Sequence, residues 1–147
     1  MKIAIGADHG GYSLKEIVKK HLTEQGHEVL DLGTHDTQSC HYPVFAEKVA
    51  HAVASGECER GILCCGTGIG MSIAANKVRG IRAAAVSDCF SAEFTRRHND
   101  ANVLCMGERT LGPGLALLIT DIFVRTQFEG GRHQTRLDLI SEMEKKF

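Results

Sequence analysis

Short apolar runs alternate with segments of helical periodicity along the whole chain, and this alternation restricts the fold more than any other feature. Runs near Lys2–Gly6, Glu28–Asp31, Gly61–Cys65, Arg82–Val86 and Val103–Met106 read as strands. After the first run, Leu14, Ile17, Val18, His21 and Leu22 fall at i, i+3, i+4, i+7 and i+8, one continuous helical face, with Gly26 as the expected C-cap. A second helix is expected from about Pro43 to Ser55, with Phe45, Val49, Ala52 and Val53 on one side and Pro43 in its first turn. Further helices are expected up to about Lys77, through Phe94 to Arg97 and His98, and from about Pro113 to Arg125. Gly130-Gly131 then interrupt the chain before an amphipathic segment, about Gln134–Lys146, that lines up Leu137, Ile140 and Met143.

Five strands, each followed by a helix, predict an α/β fold: a Rossmann-like three-layer sandwich around a five-stranded parallel sheet. The last helix is extra to that unit and is expected to pack on a partner subunit. Residues 1–147 read as one domain. Right-handed crossovers put the C-terminal ends of all strands on one edge, where open sheets bind ligands. Asp8, His9, Tyr42, Cys65, Thr67, Ser87, Asp88 and Arg109 fall in the loops of that edge.

Composition excludes several classes of function. A net charge of -1 offers no basic field for nucleic acid or a membrane surface. No apolar run approaches membrane-spanning length, and the first strand meets charge too early for a signal peptide. A cytoplasmic location is expected. The six cysteines then belong to a reducing compartment, with Cys64, Cys89 and Cys105 acting as small core hydrophobes. There is no C-x-x-C pair, and the eight histidines show neither H-E-x-x-H nor zinc-finger spacing. No metal and no cofactor are expected.

The chemistry concentrates in Cys65-Gly66-Thr67-Gly68-Ile69-Gly70, where a strand empties into a glycine turn at a helix start. Such a turn exposes backbone N–H groups to anions or developing oxyanions. Cys65 at its lip is a candidate reactive thiol, whereas Cys64 points to the opposite face of the strand. The glycines spell neither G-x-G-x-x-G nor a Walker loop, although Asp31 lies about 20 residues after Gly11, where a dinucleotide fold keeps its ribose-binding acid. A purely conformational turn and a buried structural thiol are the competing readings. Asp8-His9 is a candidate acid–base or anion-binding pair on the same edge, or else a loop cap with a solvated imidazole. His98-Asn99-Asp100 ends a helix, and Arg132 and Arg136 share a helical face beside Gly130-Gly131, suited to phosphate or to plain solvation.

Asp8-His9-Gly10-Gly11, His41-Tyr42-Pro43, Cys65 to Gly70, Ser72 to Lys77, Gly80-Ile81-Arg82-Ala83, Arg97 to Leu104 and Glu129-Gly130-Gly131-Arg132-His133 together resemble type B ribose-5-phosphate isomerase, end to end. That family also holds galactose-6-phosphate and allose-6-phosphate isomerases. The resemblance implies a metal-free aldose–ketose isomerisation through an enediolate, with Cys65 as the base and Thr67 assisting. Backbone N–H groups of Gly66, Gly68 and Gly70 would face the enediolate oxygen. His98 and Asp8 would open the sugar ring, Tyr42 and Asn99 would hold hydroxyls, and His9, Arg109, Arg132, His133 and Arg136 would bind phosphate. It implies a homodimer or dimer of dimers with shared sites, the His98 and Arg109 region coming from the neighbour. A hexose 6-phosphate substrate, a non-catalytic sugar-phosphate-binding module and, third, a thiol redox protein built on Cys64-Cys65 are the alternatives.

Overall fold

The computed structural model describes residues 1–147. Strands β1 (Lys2–Ala7), β2 (Glu28–Asp31), β3 (Arg60–Cys65), β4 (Ala83–Ala85) and β5 (Val103–Gly107) alternate with helices α1 (Tyr12–Glu24), α2 (Tyr42–Ala54), α3 (Ile69–Ala75), α4 (Cys89–Arg97) and α5 (Pro113–Arg125), and α6 (Arg132–Lys146) closes the chain. All strand pairs are parallel, in the order β2-β1-β3-β5-β4. The chain leaves β1 in one direction to form β2 and returns on its other side to form β3. That reversal opens a crevice between the C-terminal ends of β1 and β3.

The period-2 alternation of side chains sorts the core into two layers. Ile3, Ile5, Ala7, Ile62, Cys64, Leu104 and Met106 pack under α1, α4 and α5 with Leu14, Val18, Leu22, Ala92, Ile119 and Phe123. Ala4, Leu63, Cys65, Val103 and Cys105 face the other way, onto Ala46, Val49, Ala50 and Val53 of α2 and Met71 and Ala75 of α3. The three-layer parallel sandwich expected from the alternation is the observed fold.

Boundaries differ where side chains compete with the backbone. Helix α1 ends at Gln25, and Gly26, at φ +87°, is the residue after the cap. His27 N–H donates to Leu22 O and Gly26 N–H to Thr23 O, a Schellman ending that needs a left-handed residue there. Strand β4 covers Ala83–Ala85 rather than Arg82–Val86. Arg82 is taken out of the strand because its N–H donates to Asn102 Oδ1 and its guanidinium to Asp100 O. Helix α3 stops at Ala75, short of Lys77, and α6 begins two residues earlier than Gln134. Cys64 and Cys105 are core residues as expected, but Cys89 is only half-buried at the start of α4. Helix α6 buries only His133 and Leu137, leaving Ile140 and Met143 largely open. No helix is long and apolar enough to cross a membrane.

Candidate active site

The crevice between β1 and β3 is assembled from backbone first. Gly11 packs so tightly on β3 that a Cβ there would lie 2.3 Å from Cys64 C and O, so only glycine lets α1 start at this point. Asp8, almost fully buried after β1, accepts from Gly10 N–H at 2.9 Å and Gly11 N–H at 3.1 Å. Those two bonds fix the carboxylate against the start of α1. His9 Nδ1 accepts from Cys40 N–H at 3.2 Å, which leaves Nε2 as the protonated nitrogen of the neutral ring and ties the Gly33–Pro43 loop to this edge.

Cys65 ends β3, its thiol buried, and its sulfur accepts from Gly68 N–H at 3.1 Å. Gly68 sits at φ +79° with its virtual Cβ 3.0 Å from the Met106 backbone, so the turn lies flat against β5. A side chain on Gly68 would lift the donor off the sulfur. Thr67 is exposed at the crest, its Oγ1 accepting from Ile69 N–H at 3.3 Å. Tyr42, at the start of α2, lays its ring over Gly70, where a Cβ would come 3.0 Å from Cζ. Helix α3 spans seven residues, too short for a full macrodipole, so the turn acts through its own N–H groups.

Arg109 belongs to this edge of its own chain. Its Nη1 lies 3.1 Å from a Cβ placed on Gly66 and its Nη2 3.5 Å from one on Gly10. Its N–H donates to Gly66 O at 3.0 Å, while Glu108 N–H donates to Cys65 O at 2.8 Å, so the end of β5 is stitched to the turn. This corrects the expectation that the Arg109 region comes from a neighbouring subunit. Complete burial drives the Cys64 thiol far above its ordinary range, and Cys105 likewise.

Asp31 is occupied elsewhere. Both of its oxygens lie 2.8 Å from the buried Lys15 ammonium, Lys19 adds a third contact, and Gly33 N–H a fourth. It holds α1 to β2 and offers nothing to a ribose, which removes the support for dinucleotide binding.

The remaining candidates lie at the opposite edge. His98 caps the C-terminal end of α4, and Asn99 precedes the start of β5, so both sit beside the N-terminal ends of the strands. One strand length, about 17 Å at ~3.3 Å per residue, separates that edge from Cys65. Chain reversal after α5 brings α6 to the same place: His133 stacks on His98 with centroids 4.1 Å apart and planes 13° apart. Arg132 and Arg136 are exposed on the first turns of α6. His133, expected to bind phosphate, is buried in the single chain. Its Nε2 has no hydrogen-bond partner and faces Glu129 Oε2 at 3.5 Å. Sequence reasoning overlooked Glu129 as a functional group; the available signal was its i, i+4 spacing to His133.

The chain therefore groups Asp8, His9, Tyr42, Cys65, Thr67, Arg109 and Gly66, Gly68 and Gly70 at one edge. It groups His98, Asn99, Arg132, His133 and Arg136 at the other.

Residues 3–140 match the model of the ribose/galactose isomerase family. The chain belongs to this family. It is 50% identical to ribose-5-phosphate isomerase B of Escherichia coli, over 99% of this chain and 97% of the relative. The structure of Clostridium thermocellum ribose-5-phosphate isomerase B superposes with a TM-score of 0.98 at 56% identity, covering 99% of each chain. Ribose-5-phosphate isomerase B from Mycoplasma genitalium, solved with bound ribulose-5-phosphate, gives 0.94 at 42% identity over 99% of this chain and 97% of that one.

Proposed function

We propose that this chain interconverts ribose 5-phosphate and ribulose 5-phosphate through an enediolate, with Cys65 as the base. The observation that carries the assignment is the Cys65 sulfur, held by Gly68 N–H at the mouth of a glycine turn that Asp8, Tyr42 and Arg109 surround. In the open-chain aldose, the Cys65 thiolate takes the proton from C2 and the electrons move into a C1–C2 double bond, leaving charge on O1. Backbone N–H groups of the turn face that charge. A proton passes from O2 to O1 with Thr67 alongside, and Cys65 returns its proton to C1. Neither metal nor organic cofactor enters these steps.

Ring opening and phosphate binding need the other edge, and a homodimer, alone or as a dimer of dimers, supplies it by placing His98, Asn99, Arg132 and Arg136 of one copy over Cys65 of the next. In this reading residues 1–147 form one sugar-phosphate isomerase domain, cytoplasmic like its phosphorylated substrate, with no nucleic-acid or membrane partner. The family description spans ribose and galactose isomerases, so a hexose 6-phosphate is the second reading.

Two measurements test this. Ketose formation from ribose 5-phosphate, allose 6-phosphate and galactose 6-phosphate, followed side by side, should favour ribose 5-phosphate; preference for a hexose moves the assignment to the second reading. Mixing Cys65→Ala protein with His98→Ala protein should restore roughly a quarter of full activity, since half the dimers are mixed and each has one intact site. Exchange confirmed by native mass spectrometry, with no activity regained, overturns the shared site.

A further inference from the structure

We propose that Glu129 and His133 are positioning residues that place a single proton on His98. This rests on the ring-opening role given to His98 above and adds how that group is kept ready as an acid.

Three elements meet at His98. Phe94 approaches its ring edge-on from α4 at 4.9 Å, His133 stacks on its face from α6, and Glu129 Oε2 lies 3.8 Å from its Nε2. The Glu129 carboxylate thus stands between two imidazole nitrogens, 3.5 Å from one and 3.8 Å from the other. Arg97 Nε donates to its other oxygen, and Arg97 is itself steadied by Glu93 at 2.8 Å. The Arg97 hydrogen bond holds the Glu129 carboxyl below its usual range, so a fixed negative charge faces the pair.

Stacked imidazoles 4.1 Å apart repel when both are charged, so a proton on one disfavours a proton on the other. Burial decides where it goes. His133 is 4% exposed, whereas the His98 side chain is 34% exposed and can keep water on a charged ring. Burial, then the charges of His98 and Arg132 and, more weakly, Arg136, hold His133 below the ordinary histidine value despite Glu129. The unpartnered Nε2 of His133 fits a ring that stays neutral. The ligand atoms of His98, Glu129 and His133 all lie within 4.8 Å of one another, with the two rings near-parallel.

The chemical consequence balances simply. Protonated His98 gives its Nε2 proton to the hemiacetal ring oxygen as the bond from C1 to that oxygen breaks. The C1 hydroxyl proton leaves to the Asp8 carboxylate as the carbonyl forms; Asp8 then releases that proton to solvent and His98 regains one from it.

Histidine-selective NMR titration, paired with pH–rate profiles of the full-length enzyme, tests the inference. In the parent, His133 should titrate below an ordinary histidine. Glu129→Gln should lower the His98 midpoint by about 0.5 to 1 pH unit, the attraction expected of an exposed carboxylate at this range. The alkaline limb of activity on cyclic substrate should move down with it, because an acid is lost as pH rises through its own value. His133→Phe keeps the stack but removes the rival site, so His98 should titrate in one step at an equal or higher pH. A His98 midpoint unmoved by Glu129→Gln, in protein with the parental circular dichroism, overturns the inference. A midpoint that moves while the rate profile does not supports the positioning and overturns His98 as the ring-opening acid.

Discussion

The two edges of the sheet are built from different materials. The edge at Cys65 is made of backbone: a left-handed glycine, N–H groups turned inward, and approaches too close for any Cβ. The edge at His98 is made of side-chain charge. Arg96, buried beneath it, donates to Asp100 Oδ1 at 2.8 Å and Ala101 O at 2.6 Å, and Arg82 reaches Asp100 Oδ2 at 3.1 Å. Asp100 adopts φ +45° within that clamp. Backbone is a rigid support for the base that the proposed reaction requires. Charge suits the phosphate recognition and ring opening proposed for this edge. The difference predicts that damage at the Cys65 edge strikes proton transfer at carbon, whereas damage at the other edge strikes ring opening, affinity and stability.

The largest effect should come from Cys65→Ala. Loss of the base should cut kcat by about a thousandfold or more while sugar-phosphate binding, followed by calorimetry, stays within a few-fold. Binding lost in parallel would erase the contrast between the edges. Arg132→Ala should act the other way, raising KM roughly ten- to a hundredfold with kcat little changed, since a charge-assisted hydrogen bond contributes ~1.5–3 kcal/mol. Arg132→Lys should recover only part of this, because an ammonium cannot form a two-pronged contact.

Asp100 tests what supports the charged edge. Asp100→Ala leaves the buried Arg96 guanidinium without its carboxylate and should cost about 2 kcal/mol, read as a fall of roughly 4–8 °C in Tm. Asp100→Gly should be milder, because it accepts the positive φ and loses only the ion pairs. Equal losses would show that backbone conformation contributes nothing there. The smallest effect on catalysis belongs to Cys64→Ala, whose side chain faces α1 and α5. Turnover should stay within about threefold, with stability down by about 1 kcal/mol.

The same division explains what could be read from the chain. The five strands, the span of α5 and the glycine turn after Cys65 depend on local patterns: period-2 burial, a proline at the start of a helix, glycines at alternate positions. All of these are written in consecutive residues. Strand β4 was read too long because Arg82 is drawn to Asp100 and Asn102, partners some 20 residues away that no periodicity reveals. The meeting of His98 with His133 depends on α6 returning to the end of α4, and the place of Arg109 depends on β5 lying against the turn. Neither follows from spacing. The resemblance supplied candidate residues, and the fold then divided them between two edges.

Strand β3 is the middle strand of the five, paired on both sides along its length. Amides around Cys65 should therefore exchange with solvent deuterium only when the whole domain opens, whereas α6, anchored by two buried side chains, should exchange through local fraying. Mild heat or dilute urea would then loosen the helix that carries Arg132 and Arg136 well before it disturbs the sulfur. If these arginines bind phosphate as proposed, the enzyme under stress should lose its hold on substrate first and its chemistry last, and a saturating concentration of sugar phosphate should postpone the loss.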